Sequence, residues 1–343
     1  MKRSLGTSII LRLWTIHNVL PAVQSALSKE SKLAFTTMAS SRKTTTNQAT
    51  TDSQSLQHAQ QDSVESKSCT APWKLYPIES YNELRTKHGK ENIKVIHMVR
   101  HAEGTHNVER DYKNEKNLDA RLTEKGMAQC QTLAQHTQAT MMKDLLQQDI
   151  DNDVAVITSP MTRCVQTALY SFPWLLADDD DKVPFVALES IRESVNYACD
   201  RRRTITEISK EYPRVDFSEC CNHDNDFIWD NYRNRLGKDW DVQMESAELN
   251  HMAHRAREGL EYLQGRPEHH LIVCSHSAFL RCMLNWGQEG GVPQMMAQLL
   301  DNRQDKTNHT LFEFCGSKDW ENYMRSNYEN CELRSFCMLA QGL

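Results

Sequence analysis

Three short apolar runs that break off into polar, cationic clusters limit what this chain can fold into more than any other feature. Ile93–Val99 reads I-K-V-I-H-M-V, Asp153–Thr158 reads D-V-A-V-I-T, and Leu271–Ser275 reads L-I-V-C-S. Each is β-branched and nearly continuous in apolar character, the pattern of a strand buried on both faces in a parallel sheet. Phe185–Leu188 is a weaker fourth run, and Thr310–Phe314 and Leu333–Leu339 are candidate strands further on. Helical patterns lie between them. Thr123 reads as the N-cap of a helix to about Gln138, with Met127, Cys130, Leu133 and Ala134 on one face. Arg163–Tyr170 follows the second strand, Ala278–Trp286 follows the Leu271 strand, and Ala247–Leu263 has the clearest amphipathic spacing. Alternating strands and helices imply an α/β fold, a three-layer sandwich around a mostly parallel central sheet.

In such sheets ligands bind beyond the C-terminal ends of the strands. The first run ends in Arg100-His101-Ala102-Glu103-Gly104-Thr105-His106-Asn107, the second in Ser159-Pro160-Met161-Thr162-Arg163, and the third in Ser275-His276-Ser277. Placed side by side, these ends bring together His101, His276, Arg100, Arg163 and Asn107. Two imidazoles and two guanidiniums form a donor set suited to a dianionic phosphate, because arginine offers paired N–H groups that match phosphate oxygens. The N-terminus of the helix starting near Ala278 is expected to add backbone N–H groups to that anion. A neutral imidazole can attack phosphorus, and four such side chains can neutralise the transition state without a metal.

Composition narrows the partners. The chain has 343 residues and a formal net charge of −6. Residues 1–72 hold eight Lys/Arg and four Asp/Glu, so they carry +4 and the remainder −10. A domain at −10 does not bind nucleic acid through bulk charge, so the expected partner is a small phosphorylated substrate. No apolar run is long enough for a stable membrane span. The 11 cysteines show no framework spacing and are read as mostly reduced thiols, which favours an intracellular site, cytoplasmic or organellar. Met1–Lys29 has basic and apolar residues but no acid, so residues 1–35 are read as a candidate targeting presequence. Residues 36–72 are read as a disordered Ser/Thr/Gln-rich linker, which leaves 73–343 for one folded domain.

R-H-A-E-G-T-H-N, then S-P-M-T-R-C-V-Q-T-A, then C-S-H-S-A-F-L-R resembles the histidine phosphatase superfamily, also called the phosphoglycerate-mutase-like family, from about Val95 onwards. The resemblance implies that His101 is the nucleophile and is phosphorylated in turnover. It implies that Arg100, Arg163 and His276 bind the phosphoryl group with help from Asn107. It also implies a carboxylic acid after the third strand that protonates the leaving oxygen, which is Glu193 or, failing that, Glu189. Gly104, Ser277 and Arg201 complete the expected substrate-binding set, with no cofactor and no metal. Ala102 and Gly104 depart from the commonest form of the first motif. With Cys199-Asp200-Arg201-Arg202, Tyr212-Pro213-Arg214 and Asn330-Cys331-Glu332-Leu333-Arg334, they resemble a plant and fungal mutase-like branch. Glycolytic mutases carry N-E-R-x-Y-G around the acid, whereas this chain has Arg192-Glu193-Ser194-Val195-Asn196-Tyr197. The expected activity is therefore a metal-independent phosphomonoesterase. The alternatives are mutase-type phosphotransfer and non-catalytic phosphate binding on the same fold.

Other residues have plainer readings. His97 alternates into the core, His106 caps a loop or joins the site, and His269-His270 form a surface turn. Arg201, Arg202 and Arg203 are either a substrate rim or a solvated loop. Asp178–Asp181 is an exposed acidic loop, and Cys220, Cys221 and His223 are ordinary side chains rather than a zinc site.

Overall fold

The computed structural model describes residues 71–110, 112–139, 153–176, 183–220, 222–236, 245, 249–286 and 310–341. The presequence, almost all of the linker, Asp178–Asp181 and Cys221 lie outside the described residues.

The strands are β1 (Trp73–Pro77), β2 (Ile93–Arg100), β3 (Val154–Thr158), β4 (Phe185–Ala187), β5 (His270–Ser275), β6 (Phe312–Phe314) and β7 (Leu333–Ala340). They form one sheet in the order β4-β3-β5-β2-β7-β1-β6. All run parallel except β7, which is antiparallel to both β1 and β2. Each continuous apolar run becomes a strand buried on both faces. The expected boundaries hold to within a few residues, but β1 was not anticipated. Its sequence W-K-L-Y-P alternates weakly and ends in proline, and its strand character comes from pairing with β7 and β6.

The period of two divides each central strand between two cores. Ile96, Met98, Ala155, Ile157, Leu271 and Val273 face a layer that includes α7 (Leu249–Gly265), α8 (Ser277–Asn285) and α9 (Lys318–Arg325). Val99, Val154, Val156, Ile272 and Cys274 face α3 (Glu124–Ala139), α4 (Thr162–Ser171) and α5 (Ile205–Glu211). Helices therefore cover both faces, making the three-layer α/β sandwich. Smaller helices are α1 (Tyr81–His88), α2 (Thr105–Glu109) and α6 (Phe227–Leu236).

Thr123 does cap α3, its Oγ1 accepting from Gly126 N at 3.0 Å. The buried face of α3 is shifted from the expected one. Cys130, Leu133 and Thr137 are buried, while Met127 is 39% exposed. Gly126 faces inward instead, and a Cβ there would lie 2.2 Å from the Glu103 carbonyl oxygen. His97 is buried within the sheet, with Nδ1 2.8 Å from Ser335 Oγ. Cys220 gives its thiol hydrogen to the Ala187 carbonyl, and His223 packs its ring on Phe227. No helix among the described residues is long and apolar enough to cross a membrane.

Candidate active site

β2, β3 and β5 run the same way, so their C-terminal ends open on one side of the sheet. Backbone bonds hold these ends in register there: His101 N donates to Ser275 O at 2.9 Å and Ser159 N to Cys274 O at 3.0 Å. Because β7 is antiparallel, its beginning lies at the same end, and Cys331 N bonds to the carbonyls of Arg100 and His101. A cavity of about 600 Å³ opens there, walled by Arg100, His101, His106, Asn107, Arg163, Glu193, Asp200 and Ser277 among others.

His101 is only 2% exposed. Its Nδ1 lies 2.7 Å from its neighbour's carbonyl, Ala102 O. A carbonyl only accepts, so Nδ1 carries the hydrogen and Nε2 the free lone pair. Burial holds the ring well below the usual histidine pKa, with Arg163, His106 and Arg100 adding to the effect. The imidazole is thus neutral and nucleophilic at neutral pH. His106 packs at 5.5 Å between ring centroids, and burial with Arg163 and Arg100 pushes it down to about 2. Gly104 makes that packing feasible, since a Cβ on it would lie 2.8 Å from the His106 ring.

Arg163 is the second residue of α4 and is fully buried. Asp119 fixes the start of that helix by accepting from Thr162 N at 2.8 Å. Arg163 Nη1 donates to Cys199 O at 2.7 Å, and Nη2 lies 3.4 Å from Asp200 Oδ1. Arg100 Nη1 donates to Tyr328 O at 2.6 Å. Both guanidiniums keep an Nε–H without a hydrogen-bond partner, and His106 Nδ1 is likewise unbonded. Buried donors left unpaired are costly, and an anion between the two arginines would offset that cost. Asn107 Oδ1 accepts from Gly104 N at 3.0 Å, which leaves its amide nitrogen for a ligand.

Of the two carboxylates weighed from the sequence, Glu193 is at the cavity. Its oxygens accept from Phe279 N at 3.0 Å, Ala278 N at 3.3 Å and Ser194 N at 2.9 Å. The helix N-terminus expected to hold phosphate therefore holds this carboxylate instead. Glu189 lies in a buried ionic network, 3.0 Å from both Arg192 Nη1 and Arg202 Nε. Arg192 also bonds to Asp226 at 2.5 Å and to the carbonyl of Asp200. From α7, Arg255 donates to the carbonyls of Ser190, Arg192 and Glu193, fixing the acid's loop from behind.

His276 is completely buried, edge-on to His101 at 5.1 Å, and its Nε2 is 2.8 Å from Ser159 Oγ. It packs against the His101 ring but is not part of the cavity wall. Ser277 is at the wall. Gly104 and Arg201 are not, and of the two readings of Arg201–Arg203, a substrate rim or a solvated loop, neither describes Arg202 and Arg203. Arg202 pairs with Glu189, and Arg203 with Asp119 and Glu211, because these guanidiniums satisfy carboxylates inside the fold. What the Cys199–Arg202 segment offers the site is a carbonyl and the Asp200 carboxylate. Sequence reasoning noted that segment but missed Asp200, along with Tyr112, Tyr197, Arg281 and Tyr328 on the wall. Arg281 stands within the quoted C-S-H-S-A-F-L-R motif, five residues after His276.

A family model described as "Histidine phosphatase superfamily (branch 1)" matches residues 96–320. A phosphoglycerate mutase-like protein of Arabidopsis thaliana is 31% identical over 220 residues, covering 56% of this chain and 74% of that protein. A probable phosphoglycerate mutase of Arthroderma benhamiae is 29% identical over 196 residues, covering 51% and 55%. Among solved structures, the ecdysone phosphate phosphatase of Bombix mori in complex with tungstate aligns with a TM-score of 0.36 at 15% identity, covering 71% of this chain and 88% of that one.

Proposed function

This chain belongs to the histidine phosphatase superfamily, branch 1, and from that premise we propose that it is a metal-independent phosphomonoesterase working through a phosphohistidine. The observation that carries the reading is the state of His101. Its Nδ1 is tied to Ala102 O, the ring is neutral, and it shares the cavity wall with two arginines that keep unpaired N–H groups. Arg100, Arg163 and Asn107 bind the phosphoryl oxygens. His101 Nε2 attacks phosphorus and the bond to the leaving oxygen breaks. Glu193 gives that oxygen its proton. Water then attacks the phosphohistidine, Glu193 takes the water's proton back, and phosphate leaves with His101 restored. His276, edge-on to His101, orients the ring. The catalytic unit is residues 73–343.

The test is hydrolysis of p-nitrophenyl phosphate in the presence of EDTA, comparing wild type with His101→Ala. Activity that withstands EDTA and vanishes in the variant is expected. Activity that EDTA removes, or that outlives His101, rejects the reading. A second reading is phosphotransfer between hydroxyls, favoured by the mutase-like names of the relatives. Interconversion of 3- and 2-phosphoglycerate outpacing hydrolysis would establish it.

A further inference from the structure

Asp200 is a buried carboxylate in the cavity wall that the proposed hydrolysis does not use. Its Oδ2 accepts from the backbone N–H groups of Tyr197 at 3.0 Å and Asn196 at 3.3 Å. Its Oδ1 lies 3.4 Å from Arg163 Nη2, a long contact made through one nitrogen only. Asp200 is therefore a weakly attached counter-charge on the arginine assigned to the phosphate. A dianion that reaches Arg163 meets this carboxylate as a like charge in a water-poor cavity, where screening is weak.

We propose that Asp200 neutralises Arg163 in the free protein and takes up one proton from solvent when a phosphoryl dianion binds. The inference rests on the phosphate-site reading above and adds to it a proton that turnover through His101 and Glu193 does not require. Protonation removes the repulsion without moving the side chain, because the neutral acid can still accept both backbone N–H bonds. Burial, opposed by Arg163 and assisted by Glu193, pushes this carboxyl up to about 7, so the proton is within reach at neutral pH.

The other charged and titratable groups facing Asp200 do not supply such a change near neutrality. The guanidiniums here, Arg163 on α4, Arg100 and Arg281 on the wall, and Arg192 bonded to the Asp200 carbonyl, are groups that do not deprotonate in proteins. Burial pushes the adjacent Cys199 thiol well up. Across the cavity His101 and His106 are held neutral. Glu193 and Glu329 are the other carboxylates of the wall, and substituting each is a control in the test.

The test uses tungstate, a phosphate-like anion that stays doubly charged through neutral pH. Calorimetric titration at about pH 8, in buffers of different ionisation enthalpy, counts protons taken up per anion bound. Wild type should take up close to one. Its affinity should fall by up to about tenfold per pH unit as pH rises above neutrality. Asp200→Asn should take up none and bind with little pH dependence. Asp200→Glu, His101→Asn, Glu193→Gln and Glu329→Gln should keep the uptake. Uptake that persists in Asp200→Asn, or disappears in His101→Asn, overturns the assignment. Tungstate binding to wild type with no proton uptake overturns it without any variant and leaves the phosphate site standing. Failure of wild type to bind tungstate at any pH removes the phosphate-site reading and this inference with it.

Discussion

A general acid matters most when the leaving group is poor. Glu193 is held by three backbone N–H groups; in Glu193→Gln the side chain keeps the shape and, with its one carbonyl oxygen, the bonds from Phe279 N and Ser194 N, but it has no proton to give. The expected result is a fall in kcat of about 10²–10⁴ for an alkyl phosphate. p-Nitrophenyl phosphate, whose leaving phenolate needs little help, should lose far less. Steady-state kinetics on the two esters checks this, and equal losses on both would assign Glu193 to binding rather than to proton transfer. At this scale the sequence was informative where chemistry sits at strand ends. His101, Arg100 and Arg163 follow directly from runs whose apolar character stops abruptly. It was uninformative for Asp200 and Arg201, neighbours in one polar run. One faces the cavity and the other does not, and nothing in the alternation of residue types says which.

The loop from Glu189 to Arg203 is where the sequence stopped being readable, because its path is set by ion pairs between distant residues. Arg192 is fully buried against Glu189 and Asp226, Arg202 pairs with Glu189 and donates its backbone N–H to Asp226, and Arg203 pairs with Asp119. Such partners leave no local periodicity, whereas the strands and amphipathic helices do. Arg192→Ala would leave Asp226 and Glu189 buried without that partner. It should therefore destabilise the fold by about 3–5 kcal/mol, measured by urea unfolding. A loss below about 1 kcal/mol would mean that water or Arg202 replaces the missing guanidinium.

At the scale of the whole fold, four of the buried histidines among the described residues shape the response to acid. Burial drives His97 down to about 3 and His106 to about 2, and it holds His101 and His276 well below the ordinary value. The unfolded chain protonates these rings near pH 6.5, but the native protein cannot. Their contribution to stability is fully present above that pH and is lost as pH falls towards the folded values. Each ring should remove about 1.4 kcal/mol per pH unit in that window. Denaturant unfolding between about pH 6.5 and 4 should show the slope, and His97→Gln should lower it by one ring's share while leaving the site untouched. An unchanged slope would mean that His97 is charged in the native state.

The strand order has a consequence for how the chain is made. β1 and β2 are the first strands to be synthesised, yet every strand they pair with is β5 or later. At roughly 5–20 residues per second, β2 waits about 10–35 s on the ribosome before β5 emerges. It waits longer still for β7, which closes its other edge. Through that interval a nearly all-apolar strand has two open edges, the kind of surface that recruits other nascent chains or a chaperone. A message cut short before Leu333 would yield a protein open in the middle of its sheet rather than at its rim, with His101 at the end of a strand whose other edge is unpaired.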